Sequence, residues 1–158
     1  MSATEHLADF ACGLSLERVP ESTRNSARAA MLDAVACAIA GRDERVTREL
    51  RGFALEHGSH PRASLWGTGE RVSPALAALV NGTAAHALDF DDNFHPMAGH
   101  ATAVLAPAIL ALGEELGASG HAVLDAYVVG LEVQSRVGEG VNLAHYERGW
   151  HSTSTIGV

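Results

Sequence analysis

Apolar residues recur at helical spacing along almost the whole chain. Leu7, Phe10, Ala11 and Leu14 fall at i, i+3, i+4 and i+7, one face of a short helix. A longer helix is expected from Pro20, which suits a first-turn position, to Gly41, with Ala27, Met31, Ala34, Val35 and Ile39 as its buried stripe. Asp43 to His57 reads as a third, carrying Val46, Leu50, Phe53 and Ala54 and closed by Gly58. From His60 to Val72 the period breaks at Pro61, Gly67 and Gly69, leaving Ala63-Ser64-Leu65-Trp66 as the one plausible strand, too short to make a sheet alone. Ser73-Pro74 then starts a helix towards Leu88, with a hydroxyl cap followed by a residue whose missing N–H costs nothing there. Val104 to Leu116 is another apolar helix, stopped by Gly117. Ser119 caps the next, from Gly120 to about Val137, with Leu124, Val128, Leu131 and Val133 inward. Ser152 to Val158 looks like a helix being opened by hydroxyl residues. The expected fold class is all-α, in one domain.

Charge narrows the classes of function. The 158 residues hold 11 basic against 19 acidic side chains, a net charge of −8, and every basic residue is Arg. A nucleic-acid reader needs a basic surface and is excluded, as is a polybasic membrane anchor. No apolar stretch reaches the roughly 18 residues of a membrane helix. The start, Met1-Ser2-Ala3-Thr4-Glu5-His6, lacks a basic lead, so a cytoplasmic protein is expected. Cys12 and Cys37 sit among apolar neighbours and read as reduced core thiols.

Candidate chemistry gathers in two places. Residues 86–100 run His-Ala-Leu-Asp-Phe-Asp-Asp-Asn-Phe-His-Pro-Met-Ala-Gly-His, with Pro96 and Gly99 marking a loop after the helix. Imidazoles and carboxylates can bind a divalent ion, yet there is no His-x-x-x-His pair and no Cys-x-x-Cys, so no metal is expected. The second cluster runs from Asn142 to Thr153. Gly149 allows a sharp turn, Trp150 is expected to bury the corner, and His151 precedes a helix start, where free N–H groups favour an anion. An imidazole there suits proton transfer. His6, His57, His60 and His121 have no such context and read as surface residues.

These clusters carry a resemblance. Asn81-Gly82-Thr83-Ala84-Ala85-His86-Ala87-Leu88-Asp89-Phe90-Asp91-Asp92 and His145-Tyr146-Glu147-Arg148-Gly149-Trp150-His151 closely resemble motifs of the MmgE/PrpD family. So do Leu32 to Gly41 and Gly67 to Pro74. The resemblance implies a helical bundle like the N-terminal part of that family's large helical domain, with residues 1–158 a partial domain lacking the family's lid and C-terminal helices. It also implies dehydratase, decarboxylase or epimerase chemistry: proton removal or addition next to a carboxylate of a citrate-like or dicarboxylate substrate, without a cofactor.

Residue by residue, the resemblance makes Asp89 the first acid of the active-site motif, with Asn93 where many relatives have Thr. His100 matches a downstream loop histidine, with His95 as the competing alignment, and His151 matches the histidine of the Gly-Trp-His motif. Asp89, His100 and His151 are thus the expected catalytic residues and Asn93 and Arg148 the expected substrate-binding ones. Asp89 is expected to orient a histidine or hydroxyl, and Asp91 and Asp92 to cap helices or point away. The family's active-site Lys and a further His lie beyond residue 158. A homo-oligomer or a complementing subunit is therefore the expected partner, and the alternative is a non-catalytic helical module that assembles with another chain.

Overall fold

The computed structural model describes residues 1–141 and 143–157. Asn142 and Val158, the outer members of two segments singled out above, lie outside the described residues.

Ser2 opens α1 (Ala3–Gly13) with a reciprocal cap: its hydroxyl accepts from the Glu5 N–H at 3.3 Å, and the Glu5 carboxylate accepts from the Ser2 N–H at 2.6 Å. A 3-10 turn, Leu16–Arg18, follows, and the Leu16 N–H donates to Asp125 at 2.8 Å. Pro20 then introduces α2 (Glu21–Gly41), and α3 (Arg45–His57) closes at Gly58. α4 (Pro74–His86) and α5 (Thr102–Leu116) are the central pair, and α6 (Gly120–Val141) packs on α5 and α2. Ser119 caps α6 through the Ala122 N–H. Two single-turn helices, α7 (Ala144–Glu147) and α8 (Ser152–Thr155), complete an all-α architecture.

Small side chains set the layer spacing. α2, α4 and α5 meet through Ala38, Ala84, Ala85 and Ala103, all buried. A second core of Leu16, Val19, Ala27, Leu124, Tyr127 and Val128 joins α2 to α6, and a third lies under the 63–72 segment. Tyr127 is 1% exposed, and its hydroxyl meets Thr102 Oγ1 at 2.7 Å. Burial pushes its phenol up, although the Thr102 hydrogen bond acts the other way. Thr102 in turn gives its N–H and hydroxyl to Asp92, at 3.1 and 2.9 Å. Asp92 thus caps α5 and fixes the loop that precedes it.

Several expectations need correction. Cys12 is exposed, because α1 buries none of its residues, whereas Cys37 is buried and desolvation pushes its thiol up. The α3 stripe is rotated: Thr47 and Ala54 face inward while Val46 and Phe53 are about half exposed, and Ile39 on α2 is also exposed. Pro74 opens α4, but the Ser73 hydroxyl makes no cap bond there. α6 runs four residues past Val137, to Val141.

The 63–72 segment does pair. β1 (Ala63–Ser64) and β2 (Arg71–Val72) form a two-stranded antiparallel hairpin with Ala63 opposite Val72, turned by Gly67 and Gly69 at positive φ. The hairpin survives because it is tied to its surroundings. Arg51 holds Glu70 with two hydrogen bonds of 2.5 and 3.0 Å, and Asn81 bridges Ser64 and Trp66.

The Arg51 guanidinium keeps the Glu70 carboxyl below its ordinary value of 4.5. A depressed carboxyl stabilises the fold above that value, and the contribution is lost as pH falls through the lower, folded one. Both side chains are partly solvated, so Glu70→Gln should cost only about 0.5–1 kcal/mol near neutral pH. In urea unfolding that loss should shrink as pH drops below the ordinary value. A loss independent of pH would contradict the pair.

Candidate active site

α4 ends at His86, and the chain then reverses. Asp89 takes the left-handed conformation, φ +56°, which Asp tolerates better than most side chains, and its N–H returns to the His86 carbonyl at 3.1 Å. This reversal brings Asp91 back under His86. The Asp91 side chain is 0% exposed, and both its oxygens lie 3.1 Å from His86 Nδ1.

The following loop is pinned at its neck, where Phe94 bridges Gly99. A 3-10 turn, His95–Met97, sits inside it against α6, with Met97 fully buried. That contact needs a glycine: a Cβ on Gly138 would lie 2.6 Å from Met97 Cα and 2.7 Å from the Pro96 carbonyl oxygen. The neck delivers His100 to the cluster. His100 Nε2 lies 3.5 Å from Asp89, and Nδ1 lies 3.3 Å from Asp91 without hydrogen-bond alignment. Its ring centroid is 4.5 Å from that of His86.

α8 closes the arrangement. Thr153 Oγ1 accepts the His100 backbone N–H at 2.9 Å, and Gly99 leaves room for that hydroxyl. Gln134 on α6 donates to the Gly157 carbonyl at 3.2 Å and holds the segment down. His151, immediately before α8, then places its ring 6.4 Å from His86. Three imidazoles from separate segments therefore adjoin, two of them on one buried carboxylate.

A groove of about 1,020 Å3 opens beside them. Leu79, Ala103, Val104 and Ile109 form apolar walls, and His86, His151, Thr153 and Ser154 give it one polar end. Such a site can take a small molecule with its charged groups against the imidazoles and its carbon skeleton on the helices.

The sequence-derived residues divide. Asp89 and His100 are together, and His151 adjoins them through His86. Asn93 and Arg148 are exposed, and among the described residues neither lines the groove. His95 is exposed at the start of the 3-10 turn. Asp91 neither caps a helix nor points away, because the Asp89 reversal turns it inward. Trp150 does not bury the corner: it is 58% exposed and stacks on His145 at 6.3 Å. The residue missing from the sequence-derived set is His86. Its signal was a histidine in the last turn of a helix followed by an acidic run.

The MmgE/PrpD N-terminal domain profile matches residues 5–158. Cis-aconitate decarboxylase of Mus musculus is 32% identical over 141 residues, covering 86% of this chain and 29% of that protein. The Homo sapiens enzyme of the same name gives the same identity and coverage. A cis-aconitate decarboxylase-like protein of Aspergillus oryzae is 28% identical over 99% of this chain and 34% of its own length. The chain thus spans about a third of the length of these relatives.

Proposed function

The chain belongs to the MmgE/PrpD family, and on that premise we propose that it supplies the histidine–aspartate part of a site that moves a proton next to a carboxylate of a small di- or tricarboxylic acid. The observation carrying this reading is the buried Asp91 carboxylate shared by His86 and His100, with His151 alongside. Dehydration, decarboxylation and epimerisation all need such a group, which takes a proton from carbon or returns one to it.

His100 is the best-placed proton carrier. Asp91 positions it from below, and exposed Asp89 lies 3.5 Å from its Nε2, beside the groove-lining His86. His151 stands at the polar end, where it can hold a substrate carboxylate or carry the second proton. Arg148 and Asn93 are assigned to substrate binding by the family resemblance, not by contact. In a decarboxylation the carbon that loses carbon dioxide takes up one proton, which the His100 imidazolium would donate. No organic cofactor is required for these steps.

None of these 158 residues is Lys. Within them, a polyanionic substrate would draw cationic groups from Arg and from imidazolium. Exposed Leu79, Leu112 and Leu116 favour assembly with a second copy or a complementing chain. They equally suit a non-catalytic helical module, which is the second reading. Cytoplasmic location is part of the proposal, consistent with no described helix being long and apolar enough to cross a membrane.

Proton NMR of cis-aconitate incubated with the chain, alone and with the remaining two-thirds of a family protein, separates the two readings. A decarboxylated product in either mixture is expected. No change in either mixture would leave the non-catalytic reading standing.

A further inference from the structure

The same four side chains have a second chemistry. His86, Asp89, Asp91 and His100 each offer a ligand atom, and all four atoms lie within 4.8 Å of one another. We propose that this cluster is a binding site for a late first-row divalent cation of the Zn2+ type.

The donor set is two imidazoles and two carboxylates. A nitrogen–oxygen set of that kind suits tetrahedral Zn2+, with ligand bonds of about 2.0–2.2 Å. Donors around such an ion stand roughly 3.3–3.6 Å apart. Two separations are already close to that, 3.1 Å between His86 Nδ1 and Asp91 and 3.3 Å between Asp91 and His100 Nδ1, while Asp89 lies 3.5 Å from the other His100 nitrogen, Nε2, and has to swing to join the set. Only the longer diagonals have to close, and exposed Asp89 is free enough in space to do so. The two carboxylates also offset the ion's double charge.

Two further observations point to a ligand. His100 Nδ1 is buried and has no aligned hydrogen-bond partner, which leaves a nitrogen aimed at the cluster with its bonding capacity unused. The surrounding shell is also rigid: Thr153 holds the His100 backbone, and Asp92 is locked on Thr102. Ligands held this way keep their orientation without the ion, and outer-shell partners of that kind support metal affinity. Sequence spacing could not reveal the site, since it lacks a His-x-x-x-His pair and arises from the reversal at Asp89.

Ligation through Nδ1 would fix the His100 ring and take up the Asp91 carboxylate that positions it, so bound metal would impair the chemistry proposed above. That consequence rests on the proposed function, whereas the site itself does not.

Isothermal titration of the chain with ZnCl2, together with the visible spectrum of its Co2+ form, tests the site without any turnover assay. One equivalent should bind, with the intense absorption of low-coordinate Co2+. His86→Gln and His100→Gln should each weaken binding at least about tenfold, while His121→Gln on the α6 surface should leave it unchanged. Circular dichroism checks that each variant is folded. If a variant unfolds, nitrogen-15 shifts of the wild-type histidines decide: zinc should move His86 and His100. No saturable binding, full-strength binding by folded His86→Gln, or shifts confined to His6 and His121 would each overturn the site.

Discussion

Replacing His100 by glutamine should lower turnover of cis-aconitate by about 10^2–10^4-fold, the usual contribution of a positioned proton carrier, in whichever assembly shows activity. Glutamine keeps a polar side chain of similar reach and leaves the backbone N–H donated to Thr153, so the loop neck remains tied. What it removes is a group that can accept and return a proton. The loss should fall on kcat more than on KM, because binding of the acid is shared with His151 and the groove walls. Steady-state kinetics of the variant check this. Retained kcat would transfer the proton-carrying role to His86 or His151.

Gly138→Val should destabilise the chain by about 3 kcal/mol, at the upper end of overpacking costs. The added Cβ meets main chain, Met97 Cα and the Pro96 carbonyl, not the yielding end of a side chain. Relief requires the 3-10 turn to lift from α6, pulling buried Met97 out of its place and moving the neck at Phe94 and Gly99. The variant should therefore lose site geometry as well as stability. Urea unfolding gives the first effect and the zinc titration the second. A variant as stable as the parent would mean that the turn does not rest on α6 as described.

The helices were legible because their signals are local. Pro20, Pro74, Gly58 and Gly117 mark ends by fixed or freed backbone angles, and apolar spacing between them selects helix over strand. Which face is buried was less legible. Thr47 is inward and Val46 outward because α3 packs chiefly on α4 and the 63–72 segment, and the hydrophobic pattern cannot foresee which neighbours a helix has. The hairpin was missed for a similar reason: two-residue strands are held by Arg51 and Asn81 from elsewhere, not by their own length.

At the site, residue types announced the chemistry, and motif resemblance singled out Asp89, His100 and His151. The roles of His86 and Asp91 were hidden. Their pairing depends on one left-handed residue at Asp89, which neither composition nor periodicity signals, and on a loop whose depth is set by Gly138, far along the chain on α6. Trp150 was misjudged because a large aromatic beside Gly149 reads as a buried corner, whereas α7 and α8 are single turns with too little surface to enclose it.

The central claim is that His86, His100 and His151 face one small acid. Histidine-resolved NMR of the chain during titration with cis-aconitate tests it most directly. The account predicts that the three imidazoles shift together along one saturable curve, while His6, His57 and His121 stay still. Shifts confined to the surface histidines, or separate curves for His100 and His151, would contradict it.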